Sequence, residues 1–87
     1  MKVLMKPIKM IALFEKNGLL TPIRYQFINE SKENITICID KVITKAEEKI
    51  AGNHMYIYKC KSIINKIEKI YELKYELNSC KWYLYKI

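Results

Sequence analysis

Hydrophobic residues along this chain recur mostly at every second position. Ile35, Ile37 and Ile39 alternate with Thr36, Cys38 and Asp40; Ile23, Tyr25 and Phe27 alternate with Arg24, Gln26 and Ile28. Successive side chains of an extended strand point to opposite sides, so period two marks a strand with one buried face. The pattern predicts six strands, near 7–15, 21–29, 34–44, 53–63, 67–77 and 80–87. Turn-forming residues separate most of them: Asn17-Gly18, the polar stretch Glu30 to Glu33, Gly52-Asn53, Asn65-Lys66 and Asn78-Ser79.

Residues directly opposite each other in a hairpin share a face, so each turn fixes a register that can be checked. With Asn17-Gly18 in a two-residue loop, Ala12 faces Ile23, Met10 faces Tyr25 and Ile8 faces Phe27, while Lys9 meets Gln26 and Ile11 meets Arg24 behind them. With Asn65-Lys66 in the loop, Cys60 faces Tyr71, Tyr58 faces Leu73, Tyr56 faces Tyr75 and His54 faces Leu77. Lys59 then meets Glu72 and Met55 meets Glu76 on the back. Asn78-Ser79 continues the pattern: Leu77 faces Cys80, Tyr75 faces Trp82, Leu73 faces Leu84 and Glu76 meets Lys81. Each turn yields one apolar face, and a slip of one residue sets charges against core positions. Lys66 must then adopt a positive φ, which is costly for a residue with a side chain.

A helix over Ser62 to Leu77 is the competing reading. It places Lys74 on the apolar stripe and stacks Glu68, Glu72 and Glu76 at spacings where like charges repel. Further back, Thr44-Lys45-Ala46-Glu47 reads as a capping box and Gly52 as a stop, which allows one short helix near residues 45–51; a loop or a continued strand fits the same stretch equally. The alternation changes phase between Ile39 and Val42, which predicts a bulge or bend near Asp40-Lys41. The expected fold is all-β: one domain over residues 1–87, a small antiparallel meander of about six strands forming a barrel or compact sandwich. Met1-Lys2 and Met5-Lys6 look like alternative starts, which reads residues 1–4 as a disordered extension.

Composition supports a packed domain. The chain is 51% hydrophobic and has two glycines and two prolines, too few for long flexible loops. A domain of this size buries only roughly 60% of its unfolded surface, which favours an oligomer. The net charge of +7 is spread along the chain: +3 over residues 1–53 and +4 over residues 54–87. Fifteen of the sixteen basic residues are lysine, with Arg24 alone supplying a guanidinium fork. Such charge attracts anionic partners without selecting among them. Three cysteines about twenty residues apart form no Cys-x-x-Cys pair, and together with the absence of a signal-peptide pattern they read as reduced and cytoplasmic. The longest apolar run, Met10 to Phe14, is too short to span a membrane, and no membrane partner is expected.

Chemistry offers little. His54 is the only histidine, and on the predicted strand it stands about 20 Å from Cys60 and about 10 Å from Cys80, too far for a dyad or a zinc site. Cys60 and Cys80 fall on the predicted core face. Glu68, Glu72 and Glu76 form a solvated ladder opposite lysines, not an isolated acid pair. No catalytic residue, metal ligand or cofactor is expected, and the chain reads as not an enzyme.

The aromatic content remains. Six of seven tyrosines and Trp82 lie between His54 and Ile87. The registers send Tyr56, Tyr58, Tyr71, Tyr75 and Trp82 to the core wall and leave Tyr83 and Tyr85 on the outer face, beside Lys59, Lys74 and Lys81. Ile57, Ile70 and Ile87 also point there, making that face too apolar for open water. The expected function is a small interaction module that self-associates, as a homodimer, through the outer face or last strand of the Tyr-rich sheet. The alternative is a single-stranded nucleic-acid binder that stacks bases on Tyr83 and Tyr85 and holds phosphates with the three lysines.

Overall fold

A computed structural model describes all residues, Met1–Ile87. Seven antiparallel strands form one curled sheet: β1 (Val3–Phe14), β2 (Leu20–Ile28), β3 (Asn34–Cys38), β4 (Lys41–Ile50), β5 (Asn53–Ile64), β6 (Ile67–Glu76) and β7 (Lys81–Lys86). Their order is β3-β2-β1-β7-β6-β5-β4, which leaves β3 and β4 at the two edges. The fold is thus an all-β half-barrel.

The expected strand over 34–44 divides and lengthens. At Ile39 and Asp40 the chain changes neighbour: the Ile39 amide donates to Ile23 of β2, and the Asp40 amide donates to Lys61 of β5. The phase change in the alternation marks this point. Beyond it the chain continues as strand to Ile50, so no helix forms near 45–51. The capping box yields because Ala51 and Gly52 take positive φ values, 51° and 80°, and close a two-residue hairpin onto β5. Residues 1–4 are not a loose extension either. Val3 opens β1, and Lys2 and Ile87 exchange backbone hydrogen bonds of 2.8 and 3.1 Å. The strand count is seven instead of six.

The β5–β6 hairpin matches its predicted register throughout, from Met55 opposite Glu76 to Ile64 opposite Ile67. Asn65 and Lys66 hold φ of 52° and 64°, the pair of left-handed residues that a type I′ turn requires. The β6–β7 register also holds, with Tyr75 opposite Trp82 and Leu73 opposite Leu84. Its loop is longer than expected. Residues 77–80 leave the ladder, Cys80 turns left-handed at φ 59°, and Cys80 is exposed instead of facing Leu77 in the core.

In the β1–β2 hairpin two departures cancel. The Gly18 amide donates to Glu15 and the Glu15 amide to Leu19, so the loop is Lys16-Asn17-Gly18, one residue longer than the predicted pair. A bulge then sets Ala12 opposite Pro22, leaving Ile23 unpaired and exposed. Pro22 sits where the ladder is already interrupted, the place where a missing N–H costs least. Beyond the bulge Met10 faces Tyr25 and Ile11 faces Arg24, as the simpler turn required.

The core fills the concave face. Leu20, Tyr25, Ile37, Tyr58, Cys60, Tyr71, Leu73, Tyr75, Trp82 and Leu84 form one buried cluster. Rings carry much of it: Tyr25 meets Tyr71 edge-on at 5.8 Å, and Trp82 lies 5.4 Å from Tyr58 and 4.9 Å from Tyr75. The polar tips of Tyr58, Ser62 and Tyr71 find partners, two of them across the curl. The Tyr58 hydroxyl donates to the Leu20 carbonyl at 2.7 Å, and Ser62 donates to the Cys38 carbonyl at 2.8 Å while bonding the Tyr71 hydroxyl at 2.6 Å.

Burial holds these acids neutral. It pushes Cys60 up to about 12 and Tyr71 up to about 12, and it raises Tyr25 and Tyr58 further. In the unfolded chain the same groups ionise at about 8.5 for cysteine and about 10 for tyrosine. Above those values the unfolded state holds fewer protons than the folded one, so stability falls as pH rises. Urea midpoints should therefore be level from pH 7 to 8 and fall steadily from pH 9 to 11. A midpoint unchanged at pH 11 would contradict this account of the core.

Candidate functional site

The outer face of β5, β6 and β7 carries the residues singled out from the sequence. The registers bring some of them together. Lys74 of β6 stands opposite Tyr83 of β7 and opposite Ile57 of β5, and Lys59 stands opposite Glu72. Tyr83 and Tyr85 are half-buried. A bulge at Tyr85 sets Lys86 opposite Glu72, so Ile87 falls out of step with Ile57 and Ile70. Lys81 lies at the far end of the face, exposed and opposite Glu76.

Lys74 is the centre of this face, and it is not free. It is only 7% exposed. Its ammonium lies 3.9 Å from the centre of the Tyr85 ring and 3.2 Å from Glu48 Oε1, with a second donation to Oε2 at 3.4 Å. Lys86 approaches the same ring, 4.9 Å from its centre. The Tyr85 ring thus serves two lysines of its own chain. Met55, opposite Glu48 and Glu76, is also buried on this side. The outer face is a small second packing layer around one charge pair, not an open row of rings.

Glu76 is similarly occupied. It accepts hydrogen bonds from Ser79 and from Asn53, the latter at 3.0 Å, and these hold its carboxyl below the usual carboxylate range, with Lys81 adding to the effect. Lys59 and Lys81 are the two singled-out lysines outside such contacts, and they lie at separate places on the face, opposite Glu72 and Glu76.

Sequence reasoning missed Glu48, because it lay within the stretch left open to helix, loop and strand. Applying the hairpin arithmetic to Ala51-Gly52 finds it: that turn sets Glu48 opposite Met55 and Lys45 opposite Tyr58, as observed. The same register brings Lys45 to the concave side, where its ammonium lies 4.1 Å from the Tyr56 ring centre and 5.6 Å from that of Tyr58. It also places Glu47 2.9 Å from His54 Nε2. His54 is therefore a rim residue with a carboxylate partner, while Cys60 is buried deeper on the same strand.

No helix is long and apolar enough to cross a membrane. No family model matches this chain, and neither curated proteins nor solved structures include one similar to it.

The Lys74–Glu48 pair predicts unequal effects from its two halves. Removing one partner of a buried pair strands the other charge, whereas an apolar replacement of the buried ammonium removes the need for a partner. Glu48→Gln should lower stability by about 2 kcal/mol, and Lys74→Met by less than about 1 kcal/mol. Urea unfolding of both variants decides it; equal losses would mean that the pair is screened by water.

Proposed function

We propose that this chain is a small non-enzymatic interaction module that self-associates through its Tyr-rich sheet, β4 to β7. One observation carries the reading. The accessible surface is 6050 Å², whereas a compact monomer of this mass exposes about 5,400 Å². The excess, roughly 650 Å², approaches the ~800 Å² that each partner buries in a standard interface. Shape agrees: the radius of gyration is 12.8 Å, against about 12 Å for a compact chain of this length. The half-barrel leaves large apolar residues in water, with Ile63 at 66% and Ile50 at 62% exposure on strands of this sheet. A second copy suits the sheet's charges, since Lys and Glu alternate across it and a two-fold axis presents each sign to the other. Molar mass by light scattering should rise from monomer to dimer between about 10 µM and 1 mM, the range of modest interfaces. A constant monomer mass across it overturns the reading.

A second reading has one supporting observation. Trp82 and Tyr83 border a shallow recess with Pro7, Ile8, Met10 and Lys81, a place for one stacked base beside a free ammonium. Fluorescence anisotropy with labelled oligo-dT at 20 mM salt should then show binding that weakens as salt rises and is lost in Lys81→Glu. No anisotropy change at 20 mM salt removes this reading.

A further inference from the structure

We infer that two copies of this chain join edge to edge through β4, antiparallel, with Ala46 on the two-fold axis. The inference rests on the self-association reading above and names the contact that produces it. β4 is a sheet edge of ten residues, Lys41–Ile50, paired on one side only, to β5. The last strand, β7, offers no such edge, because it pairs with β1 and β6 on its two sides. An exposed edge is a template for another strand unless its side chains forbid pairing.

The turn at Ala51-Gly52 decides which groups face outward. In a two-residue hairpin the flanking residues exchange both backbone bonds, and every second residue does so thereafter. Ile50, Glu48, Ala46 and Thr44 thus spend their backbone groups on β5, opposite Asn53, Met55, Ile57 and Lys59. Lys45, Glu47 and Lys49 turn their N–H and C=O groups to the free edge.

Charge then selects the register. A two-fold axis through a continuous sheet requires opposite residues to share a face, so only alternate registers are open. Setting Lys45 on the axis opposes two lysines. Setting Glu47 there opposes two glutamates and also sets Lys45 against Lys49. With Ala46 on the axis, Lys45 of each copy faces Glu47 of the other, and Thr44 faces Glu48. The two-fold axis forms the Lys45–Glu47 pair twice, and no like charges oppose each other. Residue 46 meets its own copy at the closely spaced, non-bonded position, where a methyl group is the least obstructive side chain short of glycine. Other partners meet four or more unmatched charges along the strand, which makes β4 a self-selecting edge.

Lys45 now rests on Tyr56, and Glu47 on His54, within its own chain. A single substitution therefore disturbs internal contacts as well as the dimer. A mixing experiment separates the two. Lys45→Glu and Glu47→Lys should each be folded by circular dichroism and monomeric by light scattering at a concentration where the parent chain is dimeric. Mixed in equal amounts, they should form a heterodimer with affinity within about tenfold of the parent, because both interchain pairs regain opposite signs. Tyr85→Glu, three strands inward on the outer face, should remain dimeric. If the parent dimerises but the mixture stays monomeric, or if Tyr85→Glu alone breaks the dimer, the edge contact is wrong while self-association stands. A parent chain that is monomeric up to 1 mM overturns both.

Discussion

One change of partner organises the molecule. Residues 34 to 50 run as a nearly continuous extended segment, whose first part pairs with β2 and whose second part pairs with β5. The exchange happens within two residues, Ile39 and Asp40. It draws the two ends of the sheet together at that point alone. The Asp40 carboxylate supports it by accepting the Ile63 amide at 2.8 Å, and Ser62 supports it from inside by donating to the Cys38 carbonyl. A strand that served only one neighbour would leave an open, twisted sheet with a flat apolar face. The crossover gives that face a closed end, and the tightly packed residues gather there.

The closed end also sets the cost of the core. Tyrosines supply large area but bring hydroxyls that must find partners inside. Tyr58 finds the Leu20 carbonyl, where β2 begins, and Tyr71 finds Ser62. The Tyr25 hydroxyl is buried without a partner, and an unsatisfied group of this kind costs about 1–3 kcal/mol. Its ring packs against Phe27 and Tyr71, so the area it buries offsets the loss. The bonded hydroxyls reach across the curl from strand to strand. They fix its radius more tightly than methyl packing alone, since a hydrogen bond tolerates little change in distance.

How much of this was legible in the sequence depended on turns. Asn65-Lys66 and Asn78-Ser79 gave registers that hold for the core pairs within the strands, from Cys60–Tyr71 to Leu73–Leu84, and fail only at Leu77–Cys80 beside the loop, because alternation on both flanking strands made any slip costly. The β1–β2 register held over Lys9 to Ile11 although both its loop length and its regularity were misjudged, since a longer loop and a bulge offset each other. Pairing arithmetic sees only the sum of such errors. β4 was read less well for a different reason. Its Thr-Lys-Ala-Glu stretch satisfies a local helix-start pattern, and its outward residues are polar on both faces, so alternation is faint. A two-residue turn at Ala51-Gly52 and the ladder on β5 outweigh that local preference, which is worth only about 1 kcal/mol. The outer site suffered in turn. Lys74, Tyr83 and Tyr85 are neighbours as the registers require, but the carboxylate that claims Lys74 sits on β4, whose pattern leaves helix, loop and strand open.

The aromatic-lysine pattern takes on a different meaning once those contacts are counted. Lys6 stands over Phe27, Lys45 over Tyr56, and Lys74 and Lys86 over Tyr85. Each cation covers a ring of its own chain. A stacking surface needs open ring faces and lysines free to reach phosphates, and here the two cancel locally. A base arriving at Tyr85 must displace an ammonium that is itself held by Glu48. The lysines beside these rings therefore shield apolar surface while keeping their own hydration in part, as long cationic side chains commonly do. What they leave uncovered is backbone. Along β4 most side chains are polar or charged, but the outward N–H and C=O groups face the open edge of the sheet. The strongest unsatisfied directionality on this sheet lies at that edge, in the plane of the strands and not on either face.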